Sequence, residues 1–188
     1  MSAPSLAQER EWLLLAQHHR DPQAFGQLVA LHQGRVRAVL RKLTRGQRAL
    51  ADELAQETFI KAWRALPTFR HGAQWSTWLH GIAYLEFLQH QRRWADERAN
   101  TASPEHEAIA ATHSAYDLRL DLEKALAQLH PLENAAIVYC YHGGLSHAEA
   151  AQVLDLPLGT VKSHVLRGRA KLQTLLAAWK PTDTQESP

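Results

Sequence analysis

The 188-residue chain is 45% hydrophobic and 21% charged with a formal net charge of +2, a balance that excludes global disorder, a collagen-like repeat and a coiled-coil rod. One cysteine, Cys140, excludes an intramolecular disulfide and any C-x-x-C zinc or redox motif. No stretch reaches the roughly 18 consecutive apolar residues of a membrane helix, and residues 1–20 lack the pattern of a secretory signal; a cytoplasmic protein without membrane insertion is expected.

In chain order, no segment shows the period-2 alternation of a strand, and the long segments carry helical spacing. Leu28, Leu31, His32, Val36, Val39, Leu40 and Leu43 share one helix face. Arg35, Arg37, Arg41, Lys42, Arg45 and Arg48 form a basic cluster on and beyond that helix. Leu54, Thr58, Phe59, Ala62 and Trp63 define a second helix, ended by Pro67. A short loop with a glycine follows, Thr68 to Gln74, and then a third helix carrying Trp75, Trp78, Leu79, Ile82 and Leu85, closed by Arg92 and Arg93. Aromatics interleaved with arginine suit unstacked bases, which need a ring to stack on and a cation for the phosphates. Trp63 and Trp78 are at core spacing, whereas Trp75 stands at the loop edge as the better candidate for base contact.

Charge is unevenly spread. Residues 1–98 hold 14 basic and 9 acidic side chains, residues 99–121 hold 1 and 4, and residues 122–188 hold 6 and 6. The middle stretch, Asn100-Thr-Ala-Ser-Pro-Glu-His-Glu, is polar, contains Pro104 and has no apolar face, so it reads as a linker with helix possible after Glu105. The expected fold class is all-α: two small helical domains, 1–98 and 121–180, joined by a flexible linker over 99–120, with a disordered tail over 181–188.

The second domain carries the most specific local signal. A helix from Leu132 to Tyr141 stops at Gly143-Gly144. Ser146-His-Ala-Glu149 is a capping box that starts a short helix, Ala148–Leu154. After the break Asp155-Leu-Pro-Leu-Gly159, Thr160 is expected to cap a longer helix, with Val161, Val165, Leu166 and Leu172 on its apolar side. Lys162, Ser163, His164, Arg167 and Arg169 occupy the rest, and no acid lies between Asp155 and Asp183. A short helix, a tight turn and a second helix with polar and basic residues at its start suit insertion into the DNA major groove.

Ala51-Asp-Glu-Leu-Ala-Gln-Glu-Thr-Phe-Ile-Lys-Ala-Trp63, Phe69-Arg70, Trp75-Ser-Thr-Trp-Leu-His-Gly-Ile-Ala83 and Arg92-Arg93 resemble region 2 of the extracytoplasmic-function (ECF) sigma factors. Gly144-Leu-Ser-His-Ala-Glu-Ala-Ala151 and Leu156-Pro-Leu-Gly-Thr-Val-Lys-Ser-His-Val-Leu-Arg-Gly-Arg169 resemble their region 4. The resemblance implies a bacterial initiation factor that binds core RNA polymerase and promoter DNA, with an anti-sigma factor as a further partner. It implies that Asp52, Glu53, Gln56, Glu57 and Phe59 meet the polymerase. Arg70, Trp75, Ser76 and Trp78, with Arg92 and Arg93, would serve the −10 element, and Thr160, Lys162, Ser163, His164, Arg167 and Arg169 the −35 element. It implies no enzymatic activity, cofactor or metal. Two departures stand out. Where the family usually has Arg-Asn and then Asp, this chain has Tyr84-Leu85 and Gln89, which removes polar groups tied to −10 recognition and strand opening; and His164 replaces a usual basic residue.

Two other readings compete. A two-domain helix-turn-helix regulator acting without core polymerase would share the C-terminal motif, but residues 1–98 show no alternating strand–helix pattern. A His-metal hydrolase could use some of the 12 His, and Cys140, His142 and His147 could bind a metal, but no His-Glu-x-x-His motif occurs.

Overall fold

The computed structural model describes residues 4–70, 74–100 and 115–177. The linker residues 101–114 and the tail expected over 181–188 lie outside the described residues. The all-α expectation holds: eight α-helices and one 3₁₀ turn occur among the described residues, with no strand.

A helix not foreseen in the sequence comes first, α1 (Leu6–His19). Ser5 and Gln8 close a capping box at its start, and it buries Leu13 and Ala16. Arg20 in the left-handed region ends it, and Asp21 caps α2 (Pro22–Leu43), whose proline sits at the start, where its missing N–H costs nothing. Then come α3 (Arg48–Ala65), the 3₁₀ turn Leu66–Thr68 and α4 (Trp75–Asn100). Leu28, Leu40, Leu54, Leu66, Phe69 and Leu79 are buried in the first core, which α1 to α4 close between them. Each such side chain stabilises the fold by roughly 1.5–3 kcal/mol relative to exposure.

The C-terminal half comprises α5 (Ala115–Ala127), α6 (Pro131–Tyr141), α7 (His147–Leu154) and α8 (Leu158–Leu175). Because α5 begins at Ala115, the last residues expected as linker are helical. Gly143 and Gly144 shape the exit from α6. A Cβ on Gly143 would stand 2.6 Å from the Tyr139 carbonyl oxygen, and Gly144 has φ +69. Gly168 lets α8 cross α6 closely, since a Cβ there would meet Ile137 Cγ1 at 3.0 Å.

The second core is not confined to this half. Val39 and Leu43 of α2 and Tyr84 of α4 are buried in it with Leu126, Tyr139, Leu154, Val161 and Val165. The Tyr139 ring, fully buried, meets Tyr84 edge-on at 5.8 Å and His80 edge-on at 5.6 Å. Its hydroxyl donates to the His80 carbonyl at 3.4 Å. Thr77 Oγ1 donates to Glu149 Oε1 at 3.1 Å, and Lys42 Nζ donates to Glu123 at 3.4 Å. The two halves are therefore packed on each other, α7 against α4 and α6 against α2.

Candidate nucleic-acid and protein interfaces

The clearest surface is built by α7 and α8. Ser146 Oγ accepts from the Glu149 N–H while Glu149 accepts from the Ser146 N–H, which fixes the start of α7. Asp155 ends it at φ 51. The cap of α8 is Pro157 rather than the expected Thr160, because the Pro157 carbonyl already accepts from Thr160 and Val161. Val161, Val165 and Gly168 are turned inward. Lys162, Ser163, Arg167, Arg169 and Ala170 are exposed.

Several expected readers on α8 have their polar atoms engaged within the protein. Ser163 Oγ donates to the Gly159 carbonyl at 2.9 Å. His164 is 9% exposed and stacks parallel on His130 at 6.4 Å, so it is not on the outward face where it was expected. The reason is position: it lies on the same side as Val161 and Gly168, three and four residues away. Burial and the neighbouring Arg167 push its pKa down. Arg167 donates to His164 Nδ1 at 3.1 Å, and its Nε lies 3.5 Å from Glu133. Lys171 Nζ donates to the other Glu133 oxygen at 2.7 Å. Glu133 is buried, and the Lys171 hydrogen bond holds its carboxyl below the usual range. This carboxylate was not legible as a partner of α8. The only signal was its place three residues after His130, from whose backbone N–H it accepts in a third capping box.

Leu166 is the second difference. It was expected on the apolar side of α8 and is 71% exposed.

In the first half, Trp75 was expected to offer a ring for stacking. The indole is 5% exposed, packed edge-on to Phe69 at 5.5 Å and against Trp78 at 5.1 Å. At the first residue of α4, it faces Phe69 and Trp78 and not solvent. Its Nε1 has no hydrogen-bond partner among the described residues. It lines a cavity of about 460 Å³ together with Glu9, Arg10, His32, Arg35, Gln74 and Ser76. His32 and Glu9 pair there at 3.0 Å. Burial lowers the pKa of His32 more than Glu9 raises it. Arg70, Arg92 and Arg93 are exposed, Ser76 and Trp78 are half-buried, and residues 71–73 lie outside the described part.

On α3, Glu53, Gln56 and Glu57 are exposed, and half-exposed Asp52 pairs with Arg37 at 3.4 Å. Phe59, expected as a contact residue, is 9% exposed and belongs to the first core, because it lies one turn from buried Ala55 and Ala62. It floors a shallow groove of about 340 Å³ between α2 and α3, also lined by Val29, Gln33, Gln56 and Ile60. Ile60, 43% exposed, is a groove residue the sequence did not single out.

Two of the three family departures on α4, Tyr84 and Gln89, have partners within the protein. Tyr84 is buried against Tyr139 and stacks on Phe87, so it serves packing between the halves. Leu85 is 56% exposed. Gln89 accepts from Lys61 at 3.2 Å, and the same Lys61 pairs with buried Glu86 at 2.6 Å. Among the described residues, no three His, Cys, Asp or Glu side chains gather as a metal site, and no helix is long and apolar enough to cross a membrane.

Residues 28–96 match the family described as Sigma-70 region 2, and residues 119–172 match Sigma-70, region 4. The chain is 34% identical over 161 residues to the ECF RNA polymerase sigma factor SigE of Mycolicibacterium smegmatis, covering 82% of this chain and 62% of that protein. It is 31% identical over 166 residues to the ECF RNA polymerase sigma factor SigM of Mycobacterium tuberculosis, covering 87% and 83%. Among solved structures it is similar to the sigma factor RpoE of Bartonella quintana in complex with the anti-sigma factor NepR, with TM-score 0.74 and 30% identity over 84% of this chain and 99% of that one. It is also similar to CnrH in complex with the cytosolic domain of CnrY, with TM-score 0.71 and 28% identity over 92% and 99%.

Proposed function

Since the chain belongs to the ECF sigma factors of the sigma-70 family, we propose that it binds core RNA polymerase and directs it to promoters through surfaces divided between its two halves. Residues 1–98 act as the polymerase- and −10-binding domain and residues 121–180 as the −35-binding domain, joined by 99–120. It acts in the cytoplasm as a binding and positioning factor, without covalent chemistry.

The observation that carries this reading is the pairing, in one chain and in family order, of two surfaces of opposite charge. The exposed face of α8 bears Lys162, Arg167 and Arg169 with no acid from 156 to 182. Cations there attract phosphates and release their counterions, while the first turns of the helix meet base edges. The exposed face of α3 bears Asp52, Glu53 and Glu57 beside an apolar groove. Carboxylates so placed repel DNA, so this face meets protein, and the groove with Ile60 accepts apolar side chains of the polymerase. Arg92 and Arg93 hold the DNA backbone. The cavity beside Trp75 and Ser76, with its unpartnered indole N–H, has the size and mixed polarity to receive an extruded base near the −10 element, edge-on and not stacked.

An anti-sigma factor is the further partner. What supports this is the likeness, over 84% and 92% of this chain, to sigma factors solved with such inhibitors.

The test is direct titration of core polymerase with the full chain, followed by run-off transcription. The wild type binds and supports promoter-specific initiation. Reversing Asp52 and Glu53 together to Lys weakens core binding at least about tenfold while the melting temperature is kept, because exposed pairs such as Arg37–Asp52 contribute little to stability. Unchanged core affinity would remove α3 from the polymerase surface. A chain that binds duplex DNA but no core polymerase would favour the regulator reading.

A further inference from the structure

We propose that Leu166 is a specificity-determining residue of α8 that packs against the C5-methyl group of a thymine in the major groove. The inference rests on the reading of α8 as the −35-binding helix.

A single exposed leucine is ordinary on a protein surface; its placement decides here. At about 100° per residue, the inward stripe of α8 is Val161, His164, Val165 and Gly168, all buried. The direction opposite holds Ser163, Leu166 and Ala170. Lys162 and Arg169 flank that strip on one side and Arg167 on the other. The centre of the face is therefore short or apolar, and its margins are cationic. A helix so built lowers its central strip onto base edges while the flanking cations reach the groove walls.

Three of the six side chains expected to read bases are also engaged within the protein. The Ser163 hydroxyl donates to the Gly159 carbonyl, His164 is stacked inward on His130, and Arg167 is drawn toward Glu133 and His164. Leu166, 71% exposed, is the longest side chain on the central strip. Of the groups presented in the major groove, the thymine methyl is the one an isobutyl side chain can recognise; the remaining edges are hydrogen-bond donors and acceptors. Leucine there would favour thymine over cytosine, whose amino group it would desolvate without a partner.

The experiment uses the full chain bound to core polymerase. The probe is the tightest duplex recovered by the wild-type holoenzyme from a pool randomised over the upstream element. Each thymine in that element is then replaced singly by deoxyuridine, which removes only the methyl group. At one thymine the wild type loses about fourfold in affinity, the worth of one buried methyl-sized group. Leu166→Ala loses a similar factor on the parent duplex and is indifferent to the methyl at that position. A wild type insensitive to every methyl, or a Leu166→Ala holoenzyme with the wild-type methyl preference, would overturn the assignment while leaving α8 as the reading helix. If the wild type recovers no preferred sequence at all, the −35 reading itself fails and this inference with it. Because Leu166 is exposed, the substitution leaves the melting temperature within a degree or two of wild type.

Discussion

Helices α4 and α8 were expected to do the same kind of work, each offering a face to promoter DNA, yet the molecule treats them differently. On α8, one stripe is buried against α6 and α7 and the opposite side is open. On α4, α3 packs against one side and α7 against another, so Trp75, Thr77, Leu79, His80, Ala83, Tyr84 and Glu86 are all buried. A helix covered along one side keeps a working surface along its length. A helix covered on two sides keeps it mainly toward its ends, here near Ser76 and in the last turns from Arg92 and Arg93 onward.

The comparison can be broken at the side chain on which it turns. Tyr139→Ala removes the ring that α4 packs on, and is expected to cost about 3–5 kcal/mol in urea denaturation of the full chain, against less than about 0.5 kcal/mol for Leu166→Ala on the open face of α8. Comparable costs would show that the contact between the halves contributes no more than a surface residue. Tyr139→Phe separates ring from hydroxyl and should stay within about 1.5 kcal/mol.

Acid sharpens the contrast next. Burial pushes the His80 pKa down to about 4, whereas the unfolded chain titrates near 6.5. Between those values the unfolded state takes up a proton that the folded state refuses, so stability falls as pH drops from about 6.5 toward 4 and is fully present above 6.5. Going from pH 7 to pH 5, the wild type should lose about 2 kcal/mol more than His80→Leu. The lowered His32, His142 and His164 act in the same direction in both proteins and cancel in the difference. Identical losses would mean that the ring is not held neutral in the contact. Within the contact between the halves, the smallest expected effect is at its rim. Thr77→Val removes the hydrogen bond to Glu149 and should cost about 1 kcal/mol, read as a shift in denaturation midpoint with unchanged slope.

The same contrast explains what could be read from the sequence. The α7–α8 pair was legible because its signals are local: a Ser-x-x-Glu box, a tight break and an apolar stripe confined to one side of α8. Leu166 was misplaced because an apolar residue next to Val165 counts toward a stripe, although one further residue turns it well away from the inward side. The burial of Trp75 and the packing role of Tyr84 were not legible because their surroundings come from Phe69 and from Tyr139, and no periodicity on α4 reports a partner 55 residues away. Glu133 escaped for the same reason: its link to Lys171 spans 38 residues. The first helix was missed because its apolar residues form no clean stripe, and Leu6 and Leu14 are exposed.

The second core has a kinetic consequence. The buried residues of the first core end at Ala83, so it can close early in synthesis. Val39, Leu43 and Tyr84 must wait for Tyr139, Val161 and Val165, up to 126 residues later in the chain. At roughly 5–20 residues per second, the 80 or so residues after Tyr84 take on the order of ten seconds to emerge. For that interval the nascent first half carries an uncovered apolar strip, and anything already able to bind it, a chaperone or the growing chain's own helices out of order, competes with α6 and α8 for the same seat.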